Sequence, residues 1–277
     1  MKKARSILIT GCSSGIGYTC AHGLQKQGYN VFATCRKDED VKRLQAEGLN
    51  ACKLDLCDSG SLHVALAWML SQTDGRIDVL FNNASFGQPG AVEDLKRDVL
   101  REQFETNVFG SVELTNLVLP YMRKQGHGRI IFNSSILGFV AMSYRGAYNA
   151  SKFAIEGLAD TLRLELHGSG VDVVLIEPGP IRSHFRKNAL AKFLANIDQE
   201  RSAHKAIYEK TLERLQKSGD SAFTLGAVAV LKVLVEAMES AKPKFRYPVT
   251  FPTKLFTVLK RILPTCIMDS IARKAGE

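Results

Sequence analysis

The sequence predicts a doubly wound α/β fold, a parallel sheet with helices on both faces. Three observations lead there. Short apolar, strand-like runs alternate with helix-like stretches from residue 6 to residue 183, the pattern of a parallel sheet built from crossover helices. The first run, Ser6–Thr10, is followed at once by the glycine-rich turn GCSSGIG and then by a helical stretch. The polar motifs of the chain fall where strands end, which is where such folds bind ligands.

The first helix runs to Gln27 and is stopped by Gly28. Strand, glycine turn and helix together are the setting in which a glycine motif reads as dinucleotide binding. Gly11 permits the tight turn, Gly15 and Gly17 allow backbone to approach a pyrophosphate at the helix N-terminus, and Ser13 and Ser14 add hydroxyl donors. The glycine spacing differs from GxGxxG, and a glycine-rich turn without a ligand is the alternative. A second strand, Asn30–Cys35, leads into Arg36-Lys37 with no acid before Asp38. Arginine at this place accommodates the 2′-phosphate of NADP, and an acid the 2′-hydroxyl of NAD. The expected cofactor is therefore NADP(H) rather than NAD(H). The alternative has Arg36 as a solvated charge and Asp38 on the ribose.

A helix near Asp38–Ala46, a strand at Ala51–Leu54 and the turn Asp55-Leu56-Cys57-Asp58 repeat the unit. Asp55 is either an acceptor for an adenine amino group or a turn acid. The next helix, from Ser59 to about Leu70, carries Trp68, read as packing. Strand Ile77–Phe81 ends in Asn82-Asn83-Ala84-Ser85, and asparagines leaving a buried strand suit backbone hydrogen bonding beside a cofactor. A long helical stretch from Asp98 to about Lys124 contains Asn107, with Pro120 allowing a bend. Strand Arg129–Asn133, helix Ala147–His167, strand Val171–Glu177 and the segment PGPIRS at 178–183 complete the alternation.

The stretch Asn133–Lys152 carries the chemistry. Tyr148 and Lys152 are four residues apart, hence on one face of a helix. An ammonium beside a phenol favours the phenolate and is expected to lower a pKa that is otherwise about 10. Such a tyrosine can exchange a proton with a substrate oxygen, and the hydroxyl of Ser135 can hold that oxygen.

Composition removes other classes. The 277 residues are 45% hydrophobic and 23% charged, with no apolar run long enough to span a bilayer and no secretory signal in MKKARSILITG. Six cysteines show no metal-ligand spacing, so no metal site is expected; core thiols and a reducing cytoplasm are. The formal charge of +9 is concentrated at 241–277, where eight Lys/Arg face two acids, a net +6, leaving +3 for the rest. With no basic stripe in the main body, nucleic acid is not an expected partner.

With TGCSSGIG, NNAS, Asn107, the Ser135/Tyr148/Lys152 set and PGPIRS in hand, the chain resembles the short-chain dehydrogenase/reductase family. The resemblance implies a single Rossmann-type domain of about seven strands and a nicotinamide cofactor. It makes Tyr148 the acid/base, Lys152 the partner that lowers its pKa and touches the nicotinamide ribose, Ser135 the carbonyl-orienting group, and Asn107 the support of a proton-relay water. Around the cofactor it places Gly11, Ser13, Ser14, Gly15, Ile16, Gly17, Arg36, Asp55, Leu56, Asn82 and Ala84, then Pro178, Gly179 and Ile181. Ser85 replaces a usual glycine, and Ser183 stands where a threonine often contacts the carboxamide. The combination GCSSGIG, CRK, EPGPIRS and KPKFRYPVT is most similar to bacterial NADP-dependent aldehyde reductases, themselves similar to retinol and 17β-hydroxysteroid dehydrogenases. A homodimer or homotetramer is implied as well.

The catalytic domain is expected over 1–250, with a substrate lid at 184–220 whose apolar residues contact substrate or pack on the domain. His184 and His204 read as solvated or packed. Phe223–Met238 is predicted as a core helix and Phe245–Tyr247 as a short strand. Residues 251–277 are expected to form a basic amphipathic extension, whose helix Thr253–Leu263 lies on an anionic membrane surface, covers the substrate mouth, or packs on its own domain or a partner. The expected activity is NADP(H)-dependent reduction of a lipophilic aldehyde or ketone. Hydroxysteroid or retinol oxidation and 3-oxoacyl thioester reduction are alternatives, as is a cofactor-binding sensor or scaffold without chemistry.

Overall fold

Side chains alternate between the two faces of each strand. In a computed structural model that describes residues 4–216, 219–220 and 222–276, that alternation serves a sheet buried on both sides. Its strands are β1 (Ser6–Ile9), β2 (Asn30–Cys35), β3 (Asn50–Lys53), β4 (Val79–Asn82), β5 (Gly128–Asn133), β6 (Val171–Glu177) and β7 (Arg246–Pro248). They lie in the order β3-β2-β1-β4-β5-β6-β7, every neighbouring pair parallel. Ile7, Ile9, Val31, Ala33, Val79, Phe81, Val174 and Ile176 point to one face. That face is closed by α1 (Gly15–Lys26), α2 (Asp38–Ala46) and α9 (Val228–Glu239). Leu8, Phe32, Leu80, Ile130, Phe132, Val173 and Leu175 point the other way, beneath α3 (Ser59–Ser71), α5 (Gly110–Gln125) and α6 (Gly146–Glu165). Trp68 of α3 packs edge-on against Phe32, 5.3 Å between ring centres.

Differences from the sequence reading have local causes. The long helix expected from Asp98 is α4 (Arg97–Phe104) and α5 joined by a π-helical turn, Glu105–Phe109, which holds Asn107. The helix expected from Phe223 starts only at Val228. Before it, Leu225 pairs in parallel with Ile181, its amide donating to the Pro180 carbonyl and its carbonyl accepting from the Arg182 amide. Strand β4 begins at Val79 rather than Ile77, since the Ile77 backbone is bonded to the Gln125 side chain. Of the cysteines, Cys12, Cys20 and Cys35 are buried as core thiols, whereas Cys57 and Cys266 are exposed.

Two further helices, α7 (Phe185–Asn196) and α8 (Lys205–Gln216), pack against one another beyond β6. Phe193, Ile197 and Tyr208 are buried against Ala91, Leu95, Val99 and Ala147, so much of the apolar surface of 184–220 packs inward. The Tyr208 hydroxyl donates to Asp94 and accepts from the Ala91 amide at 2.9 Å. His204 contacts Glu93 and Tyr144, a packed position. At the other end, α10 (Phe251–Ile262) and α11 (Thr265–Gly276) bring Phe256 and Met268 onto Ile136, Leu137 and Val140. No helix among the described residues is long and apolar enough to cross a membrane.

An acidic cluster lies under this end of the sheet. Arg246 stands 2.6 Å from Asp160, 3.2 Å from Glu156 and 3.3 Å from Glu177. Burial pushes the Glu177 carboxyl up to about 8, the Glu156 charge adding and Arg246 opposing. A raised acid stabilises the fold fully below its unfolded pKa of 4.5; that contribution is lost as pH rises through about 8. Unfolding free energy should therefore fall from about pH 5 to about pH 8, by up to about 1.4 kcal/mol per pH unit. Glu177→Gln should flatten that slope in urea titrations at each pH, and equal slopes in both proteins would contradict the assignment.

Candidate active site

Between β1 and β4 the sheet changes its direction of growth, and the loops leaving the two strands open a crevice. The glycine turn lines one side. Gly15 has φ +58°, and a Cβ there would stand 2.9 Å from Cβ of Ser183. At Gly17 the requirement is different from the one expected. A Cβ would lie 2.2 Å from the Gly11 carbonyl oxygen and 2.6 Å from Nδ2 of Asn83, so this glycine seats α1 on the sheet rather than making room for phosphate. Ser14 caps α1 in extended conformation without a side-chain bond, and the first turn carries no acid. The first amides of α1 thus remain for an anion. They border a cavity of about 930 Å³ together with Ser13, Tyr18, Arg36, Lys37 and Arg43.

At the far end of that cavity Asp38 is turned away, 2.8 Å from Lys53, which holds its carboxyl below the usual range. Arg36 is exposed on the rim. Arg43 joins it, a residue the sequence reading did not single out. Its guanidinium donates to the Ser13 carbonyl at 2.7 Å and stands 5.6 Å from the Tyr18 ring centre. The available signal was position, since Arg43 sits in α2, the helix that opens directly after Arg36-Lys37.

A chain of buried polar groups crosses the strand ends. Asn83 Nδ2 donates to the Thr10 carbonyl at 2.8 Å, and its Oδ1 accepts from Asn133 Nδ2 at 2.9 Å. The Asn133 carbonyl then accepts from Lys152 Nζ at 2.7 Å. Thr10 Oγ1 accepts from the amides of Asn83 and Ala84 at 2.9 and 3.0 Å. Asn82 donates to Thr115 at 2.9 Å. Its Oδ1, like that of Asn133, is buried without a hydrogen-bond partner.

Ser135, Tyr148 and Lys152 meet at the end of this chain. Tyr148 and Lys152 come from the first turns of α6, Ser135 from the residue after Ser134 beyond β5. Lys152 Nζ lies 5.6 Å from the Tyr148 ring centre. The expectation that Lys152 pulls the phenol pKa down is not met in this arrangement, because burial outweighs it and Nζ is committed to Asn133. Burial pushes the Tyr148 phenol up to about 12, against a hydrogen bond from the Ser135 hydroxyl. Burial likewise pushes Lys152 down to about 8, opposed by the Glu156 charge. At neutral pH the phenol therefore keeps its proton, the state required of a general acid.

Asn107 does not reach this trio with its side chain. Nδ2 donates to the Phe86 carbonyl and to Ser151 Oγ, both at 3.0 Å, and Oδ1 accepts from the Phe86 amide at 3.1 Å. It ties the π-turn to α6 and to the loop after β4. Asp55 accepts from the Cys57 amide at 3.0 Å, as a turn acid does. Leu56 is buried, its carbonyl 2.0 Å from where a Cβ on Gly110 would stand. Ile16, Pro178, Gly179, Ile181 and Ser183 line a second cavity of about 1400 Å³ that also holds Ser135 and Tyr148. Its walls are largely apolar and include Leu137, Met142, Phe185, Leu190, Leu255 and Phe256. The C-terminal helix α10 thereby contributes to the substrate side.

The comparisons agree with this geometry. Residues 5–193 match the family model for short chain dehydrogenases. The chain belongs to the short-chain dehydrogenase/reductase family. An oxidoreductase of Escherichia coli (strain K12), YbbO, is 42% identical over 268 residues, covering 96% of this chain and 93% of that one. Human retinol dehydrogenase 8 is 37% identical over 198 residues, 68% of this chain and 62% of its own. The crystal structure of a short-chain dehydrogenase from Streptomyces avermitilis superposes with a TM-score of 0.78 at 29% identity, covering 98% of this chain and 94% of that one.

As an oxidoreductase of this family the protein takes a nicotinamide nucleotide, and its residues fit one. The uncapped α1 N-terminus suits the pyrophosphate, and the unpartnered oxygens of Asn82 and Asn133 offer acceptors in the crevice. Asn83 is the group on which the crevice depends. Asn83→Leu leaves the Thr10 carbonyl and the Asn133 amide without their partner and should cost about 2–4 kcal/mol in urea unfolding. A loss below about 0.5 kcal/mol would remove Asn83 from that role.

Proposed function

We propose that the protein is an NADP(H)-dependent reductase of lipophilic aldehydes or ketones. The observation that carries the reading is a half-buried Tyr148 beside Ser135 in an apolar-walled cavity that opens next to the glycine turn, with loss of water raising the phenol pKa so that it keeps its proton. A bound nicotinamide coenzyme supplies the hydride. Ser135 donates to the carbonyl oxygen and holds it within reach of Tyr148, whose phenol gives that oxygen a proton. Lys152, kept charged below about pH 8, offsets the negative charge left on the phenol. Ser135 and Lys152 are buried and Tyr148 half-buried, which strengthens these interactions over their worth in water. Asn107 acts as a positioning residue through Ser151 and Phe86.

NADP(H) is favoured over NAD(H) by the exposed guanidinium of Arg36 on the adenosine side and by the engagement of Asp38 with Lys53; Arg43 beside it is paired with Asp40 and Glu47. A planar guanidinium matches a phosphate, whereas an aspartate held by lysine does not present itself to a ribose diol. Residues 184–220 serve as the lid over the substrate, and Phe251, Pro252, Leu255 and Phe256 of α10 complete the cavity from the other side. Exposed Phe109, Tyr121, Phe153, Leu158 and Leu164 on the outer faces of the π-turn, α5 and α6 suit a homodimer or homotetramer. Free thiols at all six cysteines suit a reducing cytoplasm.

Turnover of decanal, measured with NADPH and with NADH, tests the reading. The protein should prefer NADPH, Arg36→Met should shrink the preference, and Tyr148→Phe should lower turnover about 10²–10⁴-fold while still binding NADPH. Retained turnover in Tyr148→Phe, or an NADH preference in the unaltered protein, would overturn it.

A further inference from the structure

The helix α10 is apolar on two sides, and the fold uses one of them. Phe256, Leu259 and Leu263 pack with Met268 of α11 onto Ile136, Leu137 and Val140. Phe251, Leu255, Val258 and Ile262 lie outside that cluster and are 60%, 41%, 56% and 67% exposed. Recurring at i, i+4, i+7 and i+11, they form a single stripe along the helix, about 16 Å long. Large apolar side chains turned together to water mark an interaction surface.

The charges around the stripe say what covers it. Lys254 and Arg261, both exposed, run along its edge on the side away from the packed face. The field of Arg261 also reaches Glu177. Residues 251–276 carry five exposed cations, Lys254, Lys260, Arg261, Arg273 and Lys274, against one acid, Asp269. An apolar stripe edged by cations matches a bilayer with anionic headgroups, whose acyl region takes the side chains while the lipid phosphates meet the cations. A second copy of this chain fits less well, because a twofold contact sets the stripe and its cations against themselves.

The stripe begins at the rim of the substrate cavity. Phe251 and Leu255 line that cavity, and so does Phe223, an exposed ring whose centre is 5.4 Å from that of Phe251. Val258 and Ile262 continue the stripe away from it. We propose that α10 docks on an anionic lipid bilayer through Phe251, Leu255, Val258 and Ile262, with Lys254 and Arg261 on the headgroups, so that the cavity opens at the membrane surface. Entry of a lipophilic carbonyl from the lipid rests on the reductase reading above; the docking itself does not.

The test is flotation of the full-length protein with vesicles of phosphatidylcholine alone and of phosphatidylcholine containing about 30% phosphatidylglycerol. The protein should bind the mixed vesicles several-fold more tightly than the neutral ones, and raised salt should weaken that binding. Val258 and Ile262 lie outside both the packed cluster and the cavity lining. The double variant Val258→Ser/Ile262→Ser should therefore keep its melting midpoint by circular dichroism and lose about 10-fold or more of its vesicle affinity. Lys254→Gln should lose several-fold on the mixed vesicles and keep its binding to the neutral ones. Binding to neither vesicle, equal binding to both, or a double variant that binds as the unaltered protein does would overturn the docking. So would a molar mass by light scattering that falls to the monomer's in the double variant while the unaltered protein ignores vesicles, which would make the stripe a contact between copies. None of these measurements involves turnover, so failure of the reductase reading would appear as absent decanal turnover with vesicle binding intact.

Discussion

The buried hydrogen-bond chain from Thr10 through Asn83 and Asn133 to Lys152 is the constraint on which the rest of the site depends. Each bond taken singly contributes about 1 kcal/mol, but removing a link strands buried polar groups on either side of it. The chain runs across the ends of β1, β4 and β5, the crevice where the sheet reverses its growth. It fixes the glycine turn at one end and the catalytic helix at the other. The distance between a cofactor held by the turn and a phenol held by α6 is therefore set by side-chain amides rather than by flexible loops.

Burial, more than pairing, decides the protonation states at that helix. Tyr148 and Lys152 are neighbours on one helical face, yet the dominant influence on each is loss of water. The phenol is kept protonated and the ammonium is pushed towards the physiological range, a combination that favours giving a proton to a carbonyl oxygen. Glu156, one turn beyond Lys152, supports the ammonium and is itself held by Arg246. The acidic cluster under β6 thus reaches the reaction centre through one lysine. Glu177 in it lowers stability as pH rises, while Glu156 favours the charge on Lys152.

Most of the sheet was legible because strand alternation and the strand–turn–helix order are local properties. The placement of Tyr148 and Lys152 together was legible for the same reason, since four residues on a helix are one turn. Asn83 stood in view as half of an asparagine pair, but its bonds to Thr10 and Asn133 join residues far apart in sequence. Arg43 was hidden by the ordinariness of a charged helix surface. The π-turn at Glu105–Phe109 has no signature in composition, and the late start of α9 comes from the pairing of Leu225 with Ile181.

The central claim is that this site passes a hydride to a carbonyl carbon while Tyr148 protonates the oxygen. The most direct measurement follows the hydride itself, by mass spectrometry of the alcohol formed from decanal with NADPH deuterated at either face of nicotinamide C4. The account expects one deuterium on the former carbonyl carbon from one of the two labelled forms and none from the other. An alcohol free of deuterium from both forms, or no alcohol at all, would contradict it.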